Sequence, residues 1–307
     1  MDALARIPQL LVYGIVSGSI LSLGGIGVSL TYSILGFSNF AHGDTMALGA
    51  YLTLALLPVA ARLGVPGGAL SPLSFGWDFA ASLLLAIAAT GLAIVLLDRL
   101  LFRRLRNANR VTLMISTIGI ALALRNLLQF IWGPQPQYYS SAIQRAVLIP
   151  RLGIRIKPDQ VFIVAIAVAL AVLLHLFLRY TKMGKAMRAT SDNTSLARVT
   201  GINTERVILW TWVIGASLAA VAGVLTGLEN KFITPELGWQ MLLSIFAAVI
   251  LGGIGNPYGA IVGGLVVGIS EEVSTAFIST GYKPAVAFAI LILMLLIRPT
   301  GLLGRRR

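Results

Sequence analysis

At 307 residues, 57% hydrophobic and only 11% charged, the chain lacks the polar residues needed to coat a soluble fold of its size. Its 24 Lys and Arg outnumber its 11 Asp and Glu, giving a net charge of +13, and the mean hydropathy is +0.87. A soluble domain is excluded, and nucleic-acid binding is the poorer account of the charge, because the bases cluster in short loops between apolar runs as the positive-inside effect requires.

In chain order, Met1 to Gln9 carries one base, Arg6, and no clear cleavage site follows, so Leu10 onward reads as a retained first span. Apolar runs long enough to cross a bilayer lie near 10–34, 44–62, 78–98, 111–132, 159–178, 207–228, 240–254, 258–276 and 284–297. The last three are short or glycine-broken. The expected fold is therefore an all-α polytopic transmembrane bundle of eight to ten spans, with broken helices. Arg99, Arg103, Arg104, Arg106 and Arg110 fill one loop, and Arg179, Lys182, Lys185, Arg188, Arg198 and Arg206 another. With Arg298 and Arg305, Arg306 and Arg307 in the tail, fifteen of the 24 bases fall on one side. Arg62, Arg145, Arg151, Arg155, Lys157, Lys231 and Lys283 make seven opposite them. The bias predicts a cytoplasmic C-terminus and an external loop 133–158, and leaves the side of the N-terminus open. Within that external loop, Ala146–Pro150 and Gly153–Lys157 suit a short β-hairpin that could serve as a docking platform, and a plain ordered loop is the equal alternative.

Residues 184–202 are the longest polar stretch on the basic side. A helix is expected from Lys185 to Thr200, stopped by Gly201, which accepts left-handed backbone without a Cβ clash. Ala186, Ala189, Asn193, Leu196, Ala197 and Thr200 recur at helical spacing as a stripe of small residues. Such a stripe has few anchors for its own core and suits a groove on another protein. The alternative is an amphipathic helix resting on the membrane surface.

Two spans are interrupted in matching ways, at Leu35–Gly43 and Leu251–Gly259. Both begin Leu-Gly, both carry a central Asn, and both end on Gly eight residues on. Paired Gly/Pro interruptions point to a transport pathway, here Asn39, His42, Gly43, Gly252, Gly253, Gly255, Asn256 and Tyr258. The alternative is that the glycines serve only close helix packing. His42 and Asp44 suggest a structural hydrogen bond more than a proton relay. Glu271 and Glu272 either pair with Arg125 or face outer water. With His42 and His175 the only histidines, no cysteine and no Gly-x-x-x-x-Gly-Lys-Ser/Thr cradle, no catalytic constellation, metal site or cofactor is expected, and ATP is expected to act on another subunit.

Gly184-Lys-Ala-Met-Arg-Ala-Thr-Ser-Asp192 with its continuation to Gly201-Ile202, Asn39-Phe-Ala-His-Gly43, Leu251-Gly-Gly-Ile-Gly-Asn-Pro-Tyr-Gly-Ala260 and Arg298-Pro-Thr-Gly-Leu-Leu-Gly304 together resemble the LivH-type branched-chain amino-acid ABC-transporter permeases. The resemblance implies that residues 1–307 form a single importer transmembrane domain in a bacterial-type plasma membrane. It implies as partners a second homologous permease, two cytoplasmic ATPases and an external solute-binding protein. It further implies that Gly184, Ala186, Arg188, Ala189, Asp192, Leu196, Ala197 and Gly201 belong to a cytoplasmic coupling segment. Branched-chain or related amino acids are the implied solutes. Urea, amides or another small polar solute, and a self-sufficient channel or carrier, are the alternatives. Arg125 departs from the family pattern, where an uncharged residue is expected.

Overall fold

The computed structural model describes residues 3–106, 108–139, 144–150 and 153–304. Arg151, Arg305, Arg306 and Arg307, counted in the charge bias, lie outside the described residues. The chain is a helical bundle whose long members are α1 (Ala3–Leu35), α2 (Ala41–Arg62), α3 (Trp77–Leu97), α4 (Arg110–Trp132), α5 (Pro158–Tyr180) and α8 (Thr204–Asn230). Helix α3 runs on through a π-helical turn, Asp98–Phe102, to Leu105. Two short helices, α6 (Lys182–Asp192) and α7 (Thr194–Val199), link α5 to α8, and α9 (Leu237–Gly252), α10 (Pro257–Ser274) and α11 (Lys283–Ile297) close the chain.

Among the described residues, seven helices are long and apolar enough to cross a membrane, against the eight to ten spans expected. The difference lies in the runs at 240–254 and 258–276. The first folds as α9, whose 16 residues rise only about 24 Å, short of the roughly 30 Å hydrocarbon core. The second folds as α10, which carries Glu271 and Glu272 in its last turns. Both are packed inside the bundle. The protein is thus a polytopic helical membrane protein.

Helices α1, α2, α8, α9 and α10 form the inner layer, and small residues set their spacing. A Cβ added at Gly18 would meet Leu265 backbone, one at Gly264 would meet Ser22, and one at Gly268 would meet Gly18, so α1 and α10 touch almost backbone to backbone. Ser22 adds a hydrogen bond to the Ile261 carbonyl at 2.9 Å. The opposite face of α10 meets α9 in the same way, Gly259 against Gly252 and Gly263 against Ala248. The outer helices α3, α4, α5 and α11 expose large apolar side chains such as Leu84, Phe130, Leu173 and Leu296, the surface expected of helices facing lipid tails.

One end of the bundle carries the loops rich in arginine, and the segment after α4 lies at the other. There β1 (Val147–Ile149) pairs antiparallel with β2 (Ile154–Ile156), Val147 opposite Ile156, so the expected hairpin strands are present, while its tip, 151–152, is outside the described residues. Gln9 clamps this ribbon to the start of α1: its amide donates to the Arg155 carbonyl at 2.9 Å and accepts from the Arg155 N–H at 2.7 Å. Tyr139 reaches inward to donate to the Ala50 carbonyl at 2.9 Å, and burial raises its phenol well above the ordinary pKa, keeping it a donor.

Candidate functional site

Helix α1 ends at Leu35, and Gly36, at φ +75°, turns the chain back toward the bundle. Phe37 and Asn39 are buried, and the Phe40 N–H donates to Thr117 Oγ1 at 3.1 Å. Thr117 is the eighth residue of α4, so this contact lies about 10 Å inside that helix end. Helix α2 therefore begins within the bundle, not at its rim. Its first exposed backbone donor is met by its own sequence: Asn39 Oδ1 accepts from the Ala41 N–H at 3.1 Å.

A second helix begins beside it. After α8, Lys231 takes the left-handed conformation at φ 66°, the one non-glycine positive φ among the described residues. Ile233 then forms a β-bridge with Gln137, and Leu237 opens α9. Gly43 and Gly238, each in the first turn of its helix, are packed so closely that a Cβ on either would strike the other's backbone. Two helix N-termini thus meet inside the membrane, each with its partial positive charge.

Beside this junction Arg125, in the middle of α4, makes two bonds to Asp44 on α2, Nε to Oδ1 at 3.0 Å and a terminal nitrogen to Oδ2 at 3.2 Å. Its guanidinium also lies 4.8 Å from the ring centroid of Trp239 on α9. Asp44 is fully buried and Trp239 half exposed, and Asn126 and Gln240 are exposed nearby in sequence on the same two helices. Phe40, just before α2, packs its ring at a tilt against Phe246 of α9, with centroids 5.2 Å apart. An ion pair and exposed amide groups at this depth are costly against lipid, so the surroundings of the junction are suited to water or another protein chain.

The sequence-picked residues divide between two places. Asn39, His42 and Gly43 all belong to the junction just described. His42 is buried with its ring against Gly27, and it does not bond Asp44, because Arg125 takes that carboxylate. Gly252, Gly253, Gly255, Asn256 and Tyr258 lie at the arginine-rich end instead. There the 298–304 segment folds over the broken end of α9: Leu302 N–H donates to the Leu251 carbonyl at 2.8 Å and Leu303 N–H to the Gly252 carbonyl at 2.9 Å. Asn256 caps α10 through the Tyr258 and Gly259 N–H groups and donates to the Leu303 carbonyl at 2.8 Å. Gly253 touches Gly304 backbone, so the two C-terminal motifs form one clasp. Of this group Tyr258 is the open side chain, its hydroxyl 2.9 Å from His175 Nδ1.

Arg125 pairs with neither Glu271 nor Glu272. Glu271 hydrogen-bonds Ser244 at 2.5 Å, and Glu272 pairs with Lys283 at 2.6 Å. Missed by sequence reading were Asp44 as the partner of Arg125 and the stretch Lys231–Gly238 as the counterpart of the first break. The signal available was Thr234-Pro235 followed by Gly238, a turn and a small residue at the mouth of a short apolar run.

The 184–202 segment is two helices where one from Lys185 to Thr200 was expected. Asn193 leaves helical backbone, at φ −156° and ψ 105°, and its Oδ1 accepts from Leu196 N–H at 2.9 Å, capping α7. Gly201, at φ +85°, ends α7, with the Ile202 N–H on the Ala197 carbonyl at 3.0 Å. Gly184, Met187, Thr190 and Ala197 are buried against the bundle, and Ala186 is half-buried. Arg188, Ala189, Asp192, Leu196 and Val199 face outward, Leu196 at 61% and Val199 at 85% exposure. Met187 supplies the bulky anchor that the small-residue stripe lacks.

A family model described as branched-chain amino acid transport system / permease component matches residues 10–295. The high-affinity branched-chain amino acid transport system permease protein LivH of Escherichia coli K12 is 37% identical over 295 residues, covering 95% of this chain and 94% of that protein. The corresponding permease protein BraD of Pseudomonas aeruginosa is 35% identical over 300 residues, covering 97% and 95%. The permease protein LivM of Escherichia coli K12 is 29% identical over 161 residues, 50% of this chain and 37% of its own length. No solved structure matches the chain at a significant level.

Proposed function

Since this chain belongs to the branched-chain amino acid transport permease family, a transport component and not an enzyme, we propose that it is the membrane permease subunit of an ATP-binding-cassette importer for branched-chain or related amino acids. The observation that carries the reading is the junction where α2 and α9 begin, with the Arg125–Asp44 pair set under a half-exposed Trp239 at membrane depth, and with Asn126 and Gln240 exposed on the same two helices as Arg125 and Trp239. Surroundings of that kind are too polar for lipid tails and are completed by a second, similar permease chain, the solute passing between the two. Asn39, His42 and Gly43 hold the wall of this passage. Tyr258 stands at its inner mouth, and Gly252, Gly253, Gly255 and Asn256 keep the end of α9 fixed there. The two helix N-termini on one wall favour a carboxylate, the group every amino acid carries.

We read the arginine-rich end as cytoplasmic, by the positive-inside bias, in a bacterial-type plasma membrane. With α9 and α10 taken as shorter helices that pass from side to side inside the bundle, the seven spans become nine crossings. Gln9 bound to Arg155 supports an external start of α1, on the side where a solute-binding protein docks near 133–158. The outward face of α6 and α7 then meets a cytoplasmic ATPase, one of two.

The test is uptake into proteoliposomes holding this permease, its partner chain and both ATPases. ATP and a loaded binding protein should drive accumulation of a branched-chain amino acid. Trp239→Ala should cut uptake about tenfold while the complex still assembles. Full uptake by this chain alone would overturn the reading.

A further inference from the structure

A cavity of about 690 Å³ opens at the arginine-rich end, between the end of α1, the π-helical end of α3 and the start of α8. Its polar wall holds Asp98, Arg103, Arg106, Arg198 and Glu205. Arg106 is spent on the two acids, bonding Asp98 at 3.0 Å and pairing with Glu205. Arg103 and Arg198 are exposed and form no ion pair among the described residues, so two uncommitted guanidinium groups from different loops look into one hollow.

The rest of the wall is apolar, with Leu113 and Ile208 among its members, and Trp212, stacked on Phe102 at 4.9 Å, forms part of it. The indole Nε1–H of Trp212 and the Nε–H of Arg106 are buried without an acceptor among the described residues. Every unanswered group is a donor or a cation, so the missing partner is an acceptor bearing negative charge. Next in sequence to the lining residues Phe102 and Leu113, the chain exposes Leu100, Leu101 and Val111, at 58%, 42% and 61%, a surface for hydrocarbon. An acceptor anion attached to hydrocarbon, at the level where spans meet basic loops, is an anionic phospholipid.

We propose that this cavity binds the phosphate headgroup of an anionic phospholipid, held between Arg103 and Arg198, with its acyl chains lying over Leu101 and Val111. Basic hollows between spans on the side of positive loops are where such headgroups are held. The lipid would brace the α3 end against the α7–α8 connection.

The experiment is native mass spectrometry of the permease purified with its partner subunits and titrated with phosphatidylglycerol or with phosphatidylcholine. Phosphatidylglycerol should remain bound where phosphatidylcholine does not. At about 1 kcal/mol per basic residue, Arg103→Gln/Arg198→Gln should weaken retention by roughly 30-fold. Arg103→Lys/Arg198→Lys should keep most of it, and Arg99→Gln/Arg104→Gln, on the same end outside the cavity, should leave it near wild type. Equal retention of the two lipids, or equal loss in the two Gln pairs, would overturn the site. So would saturable binding of inorganic phosphate with no lipid preference, which would make the ligand a free anion. Lipid retained only after the ATPase is stripped away would assign the cavity to a protein partner and also overturn it.

Discussion

Arg125 is the residue whose chemistry is hardest to reconcile with an apolar span. Placing a guanidinium in the middle of α4 is tolerable because Asp44, on the first turn of α2, takes two of its donors and Trp239 covers its face. The pair is strongly interdependent: removing one member leaves the other charged and buried, at a cost of about 3–5 kcal/mol, whereas removing both together costs far less. Arg125→Gln should therefore lower the thermal stability of the detergent-purified protein markedly, and Arg125→Gln/Asp44→Asn should recover most of the loss. Transport separates structure from function. If the guanidinium faces the solute, the double variant should fold yet remain at least about tenfold impaired in uptake. A double variant that is both stable and fully active would reduce the pair to an interhelical strut. The charge was visible in the sequence, but its partner was not: 81 residues separate Asp44 from Arg125, and no local pattern spans that distance.

Among the elements, α6 and α7 show where reading by periodicity stops. The stop at Gly201 follows from backbone sterics and was legible, as were the strands of the hairpin. The break at Asn193 was not, because an Asn that caps α7 looks, in a string of letters, like a polar residue on a helix face. Nor did spacing reveal which side of the segment is buried, since both sides carry small residues and Met187 alone decides it. The consequence is a prediction about two kinds of substitution. Leu196→Asp/Val199→Asp alters only exposed side chains, so the variant should insert and melt normally but copurify poorly with its ATPase and lose uptake. Ala197→Trp forces a large ring into a buried site and should destabilise the chain itself by about 1–3 kcal/mol. Both are read by differential scanning fluorimetry alongside a pull-down, and an intact ATPase complex in the Asp pair would remove this face from the coupling surface.

At the scale of the molecule, the fold is organised by how closely helices approach, not by how apolar they are. The outer helices could be placed from hydropathy. The inner ones could not be ordered that way, because α9 and α10 are short, carry carboxylates or glycines, and find their partners through contacts remote in sequence. Helix α10 offers small residues to α1 on one side and to α9 on the other. Position therefore matters more than residue type. Gly264→Leu drives a side chain into Ser22 on α1 and should abolish assembly, measured as loss of the monodisperse peak in size-exclusion chromatography. Gly119 on α4 has open space where a Cβ would go, so Gly119→Leu should leave that peak unchanged and, by removing a helix glycine, raise stability by up to about 1 kcal/mol. The same arrangement fixes which ends share a side. The chain holds no cysteine, so a single introduced thiol is a clean reporter. Leu148→Cys, on the exposed ribbon tied to Gln9, should react with a membrane-impermeant maleimide in intact cells. Thr194→Cys, at the start of α7, should react only in inverted vesicles. Labelling of both from one side would require α1 to α5 to be threaded differently, and the outward face of α6 and α7 would then be out of reach of any cytoplasmic ATPase.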